Sequence, residues 1–142
     1  MVRRLLGWVV LTLTVWGLGA ATAAAQAPRL TLELNKVESS NEGCQFHVVI
    51  RNETGSDINV LGADLVFFDQ NGVMANRSNV SFGKVKENKT LFRTFVFPDL
   101  KCGDVSQVLV NEVLQCQLAR ETQVDCLDLM DVSSRASIEF IK

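Results

Sequence analysis

The chain has 142 residues, with 14 Lys+Arg against 16 Asp+Glu, one His, four Cys, two Trp and no Tyr, enough for one modest domain. Its slightly acidic balance excludes the basic footprint of a nucleic-acid-binding protein. A single His with no Cys-x-x-Cys pair excludes the usual zinc-ribbon and zinc-finger ligand sets and the thioredoxin-type redox motif.

Residues 1–25 form a block of their own. Arg3 and Arg4 precede an apolar run over 5–18, and small residues fill 19–25. That order predicts a secretory signal peptide, with Ala23 and Ala25 at the small-residue positions before a cut at Gln26. The apolar run contains Gly7, Thr12, Thr14 and Gly17 and is shorter than the roughly 18–20 residues that span a bilayer. No Cys lies near the cut to carry a lipid, so no membrane insertion is expected after cleavage. Arg3-Arg4 raises the twin-arginine route, but Leu5-Leu6-Gly7 lacks its polar and aromatic context, and ordinary unfolded export is the default. Removing 25 residues from 142 leaves 117, in one domain over 26–142; Arg3, Arg4 and both Trp leave with them and no acid does, which moves the formal charge from -2 to -4. Without Trp or Tyr, stacking platforms for sugars or bases and aromatic cages are poor expectations.

Period-2 alternation dominates the remainder and predicts strands. Leu30, Leu32 and Leu34 alternate with polar residues in a first strand. Cys44, Phe46, Val48 and Ile50 share one face of a second, opposite Gln45, His47 and Arg51. A third runs over 58–69, with Leu61, Ala63, Leu65 and Phe67 opposite Asp64, Val66 and Phe68. Asn71-Gly72 then predicts a hairpin, because both residues tolerate positive φ. A weaker fourth strand is expected over 73–78, then a basic loop over 79–89 and a fifth strand over 90–97, stopped by Pro98. Residues 105–116 read equally as a short helix running into a strand or as a strand, 117–132 as irregular or briefly helical, and 134–141 as the last strand.

About seven short strands separated by turn clusters predict an all-β fold, an antiparallel immunoglobulin-like β-sandwich. All four Cys lie after the signal, and an even count in an oxidising compartment predicts two disulfides. In a sandwich the second strand can pair antiparallel with the fifth, which sets Cys44 beside Cys102; Cys116 and Cys126 then flank the connection before the last strand. The chain-entropy model gives roughly 4 kcal/mol for the first bridge and roughly 3 kcal/mol for the second.

Residues 48–97 carry Val-Val-Ile-Arg-Asn-Glu-Thr-Gly, then Ala-Asp-Leu-Val-Phe-Phe-Asp-Gln-Asn-Gly-Val, then Lys-Thr before an apolar strand. This stretch, about 50 of the 117 residues, resembles the small bacterial exported sandwich domains of the FxLYD type. The whole processed chain is similar to an uncharacterised proteobacterial periplasmic family known mainly by its export signal. The resemblance implies a sandwich in the bacterial periplasm and no activity. Cys102-Gly103-Asp104, and Cys126 with Asp125 and Asp128, lie outside the FxLYD-type pattern.

No catalytic residue is expected. His47 is the sole imidazole, and no Ser or Asp is singled out to converge on it as a triad requires. Asp125, Asp128 and Asp131, with Glu121 nearby, have the spacing of an acidic turn; calcium is the alternative, but neither metal nor cofactor is expected. Asn-x-Ser/Thr sites at Asn52, Asn76, Asn79 and Asn88 are glycan acceptors in a eukaryotic secretory route and plain turn residues in a bacterium. The informative feature is apolar excess on both faces of two strands: with Leu65 and Phe67 inward, Val66 and Phe68 point outward, and Leu91, Phe95 and Phe97 likewise oppose Phe92 and Val96. Cover by loops or by 99–132 is one outcome. The other is a partner-binding patch at Val66 and Phe68, rimmed by Lys84, Lys86 and Lys89. The functional expectation is a non-enzymatic module that binds an envelope or periplasmic protein, with an inhibitor of a lysozyme or protease, acting through 79–89 or 116–126, as the alternative.

Overall fold

The computed structural model describes Ala27 and residues 29–119 and 125–142; the signal block lies outside these, as does Glu121. Eight strands form two four-stranded sheets. In chain order they are β1 (Arg29–Ser40), β2 (Gly43–Glu53), β3 (Ile58–Asp69), β4 (Met74–Val85), β5 (Thr90–Phe97), β6 (Val105–Leu118), β7 (Met130–Ser134) and β8 (Glu139–Ile141). A 3-10 turn at Cys102–Asp104 precedes β6, and a one-turn helix α1 (Cys126–Leu129) precedes β7. The first sheet has the order β5-β2-β1-β7 and the second β4-β3-β6-β8. Pairing is antiparallel except at β1–β7 and β6–β8, which are parallel.

Alternation turns one face of each sheet inward. Leu30, Leu32 and Leu34 meet Phe46, Val48 and Ile50 from the first sheet and Leu61, Ala63, Leu65 and Phe67 from the second, all buried. Phe46, Phe67 and Phe97 close on one another edge to face, with centroids 5.5, 5.3 and 4.7 Å apart, the arrangement ring quadrupoles favour. The Cys44–Cys102 disulfide sits at the same end, because the β2–β5 register sets Cys44 opposite Phe97. Gly43 begins β2 at φ 132°, where a Cβ would come within 2.4 Å of the Phe97 carbonyl oxygen; only Gly admits that approach. The second disulfide, Cys116–Cys126, ties α1 to β6. Both bridges join the pairs expected from the sandwich.

Two segments differ from the sequence reading, and a third, open between helix and strand, resolves as strand. The basic loop expected over 79–89 is strand as far as Val85: Val80, Phe82 and Val85 are buried, and Gly83 at φ 74° shifts the alternation between them. Residues 105–118 are wholly strand, because β6 lies between β3 and β8 with both edges paired. The last strand expected over 134–141 is two strands in different sheets. Ser134 Oγ donates to the Ile138 carbonyl at 2.6 Å and accepts from Ala136 N–H, which turns the chain from β7 to β8. The strand count is therefore eight.

Candidate partner-binding face

The outer face of the second sheet gathers the side chains that the core does not use. Register places Met74 of β4, Phe68 of β3, Gln107 of β6 and Glu139 of β8 in one cross-strand row. Arg77, Val66, Leu109 and Ile141 form the next, and Asn79, Asp64 and Glu112 the third. Cross-strand neighbours stand about 5 Å apart on one face, so Met74, Phe68, Val66, Leu109 and Ile141 form an apolar strip that crosses the first two rows, with Gln107, Glu139 and Arg77 beside it. Met74 is 59% and Ile141 37% exposed, while Phe68 and Leu109 are half-buried. Val66, expected at the surface, is buried at 9% between Arg77 and Leu109. The patch thus includes Met74, Leu109 and Ile141, which alternation along a single strand does not point out.

The third row holds the one buried carboxylate of the face. Asp64 is 0% exposed, and Arg77 grips it through Nε at 2.9 and 3.1 Å and Nη2 at 2.8 Å. Asn111 Nδ2 donates a further bond at 2.8 Å; Asn111 sits where the β3–β6 register shifts and so reaches the same carboxylate. The Arg77 bonds, joined by that of Asn111, hold the Asp64 carboxyl below its ordinary range against the opposing effect of burial. Beyond this row Gly62 forms the floor of a shallow hollow of about 330 Å³, flanked by Asn79, Ser81, Leu114 and Gln115.

Lys84, Lys86 and Lys89 do not rim this patch. β3 runs from Ile58, opposite Val85, to Phe68, opposite Met74, so the lysines lie at the far end of the sandwich, on the order of 33 Å from Phe68 at ~3.3 Å per residue. There Lys84 pairs with Asp57 at 3.6 Å, and the Lys89 carbonyl accepts from Asn52 N–H. The Asn52 side chain is buried at the same end, donating to the Ser56 and Val85 carbonyls at 2.9 and 3.0 Å, so this sequon is closed to a glycan in the folded chain.

The outer face of the first sheet carries a second group. His47, half-buried on β2, is bonded through Nε2 to Glu38 Oε1 at 2.8 Å and through Nδ1 to Thr94 Oγ1 at 2.9 Å, and its ring stacks on Phe92 at 5.5 Å. Glu38 and Thr94 come from β1 and β5, which is why no local spacing announced them. The Lys36 ammonium, and then His47, hold the Glu38 carboxyl below its ordinary range. Each strand contributes one member to a flat, open surface, a geometry suited to cross-strand stabilisation. Phe92 is 55% and Val96 37% exposed, as the alternation predicts. The acids of the final third have separate tasks: Asp125 caps α1 by accepting from Leu127 N–H at 2.9 Å, and Asp131 pairs with Arg29 at 2.9 Å. Among the described residues no helix is long and apolar enough to cross a membrane.

Fold and faces together define a small, doubly disulfide-bonded β-sandwich with one apolar outer strip. No family model and no curated protein matches the sequence. Among solved structures the chain is similar to IrmA from Escherichia coli, with a TM-score of 0.56 at 10% identity over 74% of this chain and 91% of that one. A likeness at this identity is a likeness of fold.

Proposed function

We propose that this chain is an exported, non-enzymatic binding module of the bacterial periplasm, built on an FxLYD-like sandwich scaffold, which docks an envelope protein on the outer face of β4-β3-β6-β8. The observation that carries the reading is the two-row strip of Phe68, Met74, Leu109 and Ile141, in which Met74 and Ile141 are exposed and Phe68 and Leu109 half-buried on the outer face. Exposed contiguous apolar surface of this kind marks interaction sites. The two disulfides fit an oxidising compartment, and the block over 1–25 supplies the export signal. Inhibition by an inserted loop has less support, because most of 79–89 is strand.

The test is affinity capture from envelope extract with wild type, Met74→Glu and Phe92→Ser. Met74 is exposed, so its substitution leaves the core intact. A partner retained by wild type and Phe92→Ser and lost by Met74→Glu, all with equal Tm, is expected. Loss through Phe92→Ser with retention by Met74→Glu overturns the choice of face.

A further inference from the structure

We infer that the partner segment seated on this face is basic as well as apolar and runs along β3; the inference rests on the docking face proposed above and specifies its occupant. The argument is one of leftover charge. The four strands of the second sheet contain two cations, Arg77 and Lys84, and both are engaged, by Asp64 and Asp57. They also contain Glu112 and Glu139, neither of which closes a salt bridge among the described residues, although Glu112 lies within electrostatic reach of Arg77. Glu139 accepts one hydrogen bond from Gln107 at 2.7 Å, and Glu112 is exposed. The four strands thus carry two cations against four carboxylates, Asp64, Asp69, Glu112 and Glu139, so the excess charge of the sheet is negative, with Glu112 and Glu139 beside the apolar strip. An anionic lipid surface or a nucleic acid is repelled by that arrangement, whereas Lys or Arg on a docking segment is attracted.

Register sets the spacing. Glu139 belongs to the Phe68 row and Glu112 to the Asp64 row, four residues apart on β3, or about 13 Å along the strand at ~3.3 Å per residue. Two cations seven or eleven residues apart share one face of a helix, and their axial separations of about 10.5 and 16.5 Å at ~1.5 Å rise bracket this distance, the reach of Lys or Arg side chains making up the difference, with apolar residues between them on the strip. The Gly62 hollow continues the line by a further two residues of β3, and Leu114, 43% exposed, stands at its edge to meet an apolar side chain at the segment's end.

Three designed amphipathic helices of one apolar pattern, Leu with Lys, Leu with Gln and Leu with Glu, separate the possibilities when titrated into the ¹⁵N-labelled exported chain. The Leu/Lys helix is expected to shift the amides of Phe68, Met74, Leu109 and Ile141 and to bind roughly fivefold more tightly than Leu/Gln, the gain from two exposed ion pairs. In Glu112→Lys/Glu139→Lys the preference should pass to Leu/Glu. Equal binding of Leu/Lys and Leu/Gln at the same amides overturns the basic partner and leaves the docking face standing. Shifts by Leu/Lys that scatter over the acidic surface and persist in the double variant also overturn it. Absence of shifts on the face with all three helices overturns both readings.

Discussion

The two outer faces of this sandwich solve the same problem differently. On the first sheet charged side chains pair with one another: Arg29 with Asp131 and His47 with Glu38 across strands, Lys36 with Glu38 along β1, and Arg135, just past β7, with Glu33 at 2.8 Å. Phe92 is exposed but lies against the His47 ring. On the second sheet charge is concentrated in one buried node, Asp64 with Arg77 and Asn111, while Glu112 and Glu139 close no salt bridge among the described residues and the apolar residues run beside them. The first face pairs most of its charge within the monomer, whereas the second combines an apolar strip with an excess of carboxylates and so has more to offer a partner.

The sharpest way to break this comparison is to remove each node. Asp64 is fully buried and accepts bonds from two charged or amide donors, so Asp64→Ala is expected to lower stability by about 2–3 kcal/mol, the scale of lost bonds to a charged group. Glu38→Gln removes an exposed carboxylate whose partners remain solvated and should leave the urea midpoint nearly unchanged. Equal losses in the two variants would mean that the faces are built alike.

Acid titration probes the same contrast. The Asp64 carboxyl is depressed in the folded chain relative to its unfolded value near 3.9, so the unfolded state binds the proton first as pH falls. The stability it contributes is complete above that unfolded value and is lost as pH drops toward the folded one. Wild type should therefore lose more stability than Asp64→Asn between about pH 4 and pH 2. Glu38 is depressed as well, with the same sign, but solvent screens its partners, and Glu38→Gln should leave the acid limb of the curve close to that of wild type.

Much of this was legible in the sequence, and what was not has definite causes. The alternation of Phe46, Val48 and Ile50 against Gln45, His47 and Val49 depends only on period 2, and Asn71-Gly72 gives the hairpin in which Asp69 accepts from Asn71 and Val73 N–H at 2.8 and 2.9 Å. The Cys44–Cys102 bridge followed from placing β5 beside β2. The extension of β4 to Val85 was hidden because Gly83 adds a residue to the alternation and Lys84 reads as loop. Val66 points outward as its parity requires and is still buried, because burial on an outer face depends on the neighbouring strands, here through Arg77 and Leu109, and no single-strand pattern contains them. Glu38 and Thr94 converge on His47 only after three strands have paired, β1 with a register shift between Leu34 and Lys36.

The smallest effect expected discriminates most finely between the faces. Raising NaCl from about 0.05 to 0.5 M shortens the Debye length from roughly 14 to 4 Å and weakens the exposed pairs of the first sheet, Arg29–Asp131 and Arg135–Glu33 among them, while the buried Asp64 is shielded from the added ions by Arg77 and Asn111. Substituting these pairs, in Arg29→Gln/Arg135→Gln, should remove part of the salt dependence of Tm measured by calorimetry, whereas Arg77→Gln should lower Tm at both salt concentrations by a similar amount. A loss in Arg77→Gln that disappears at high salt would place Asp64 in the solvent-screened class and cancel the distinction, because the node would then be one more surface pair and the second face would have no built polar centre dividing its apolar strip from the Gly62 hollow.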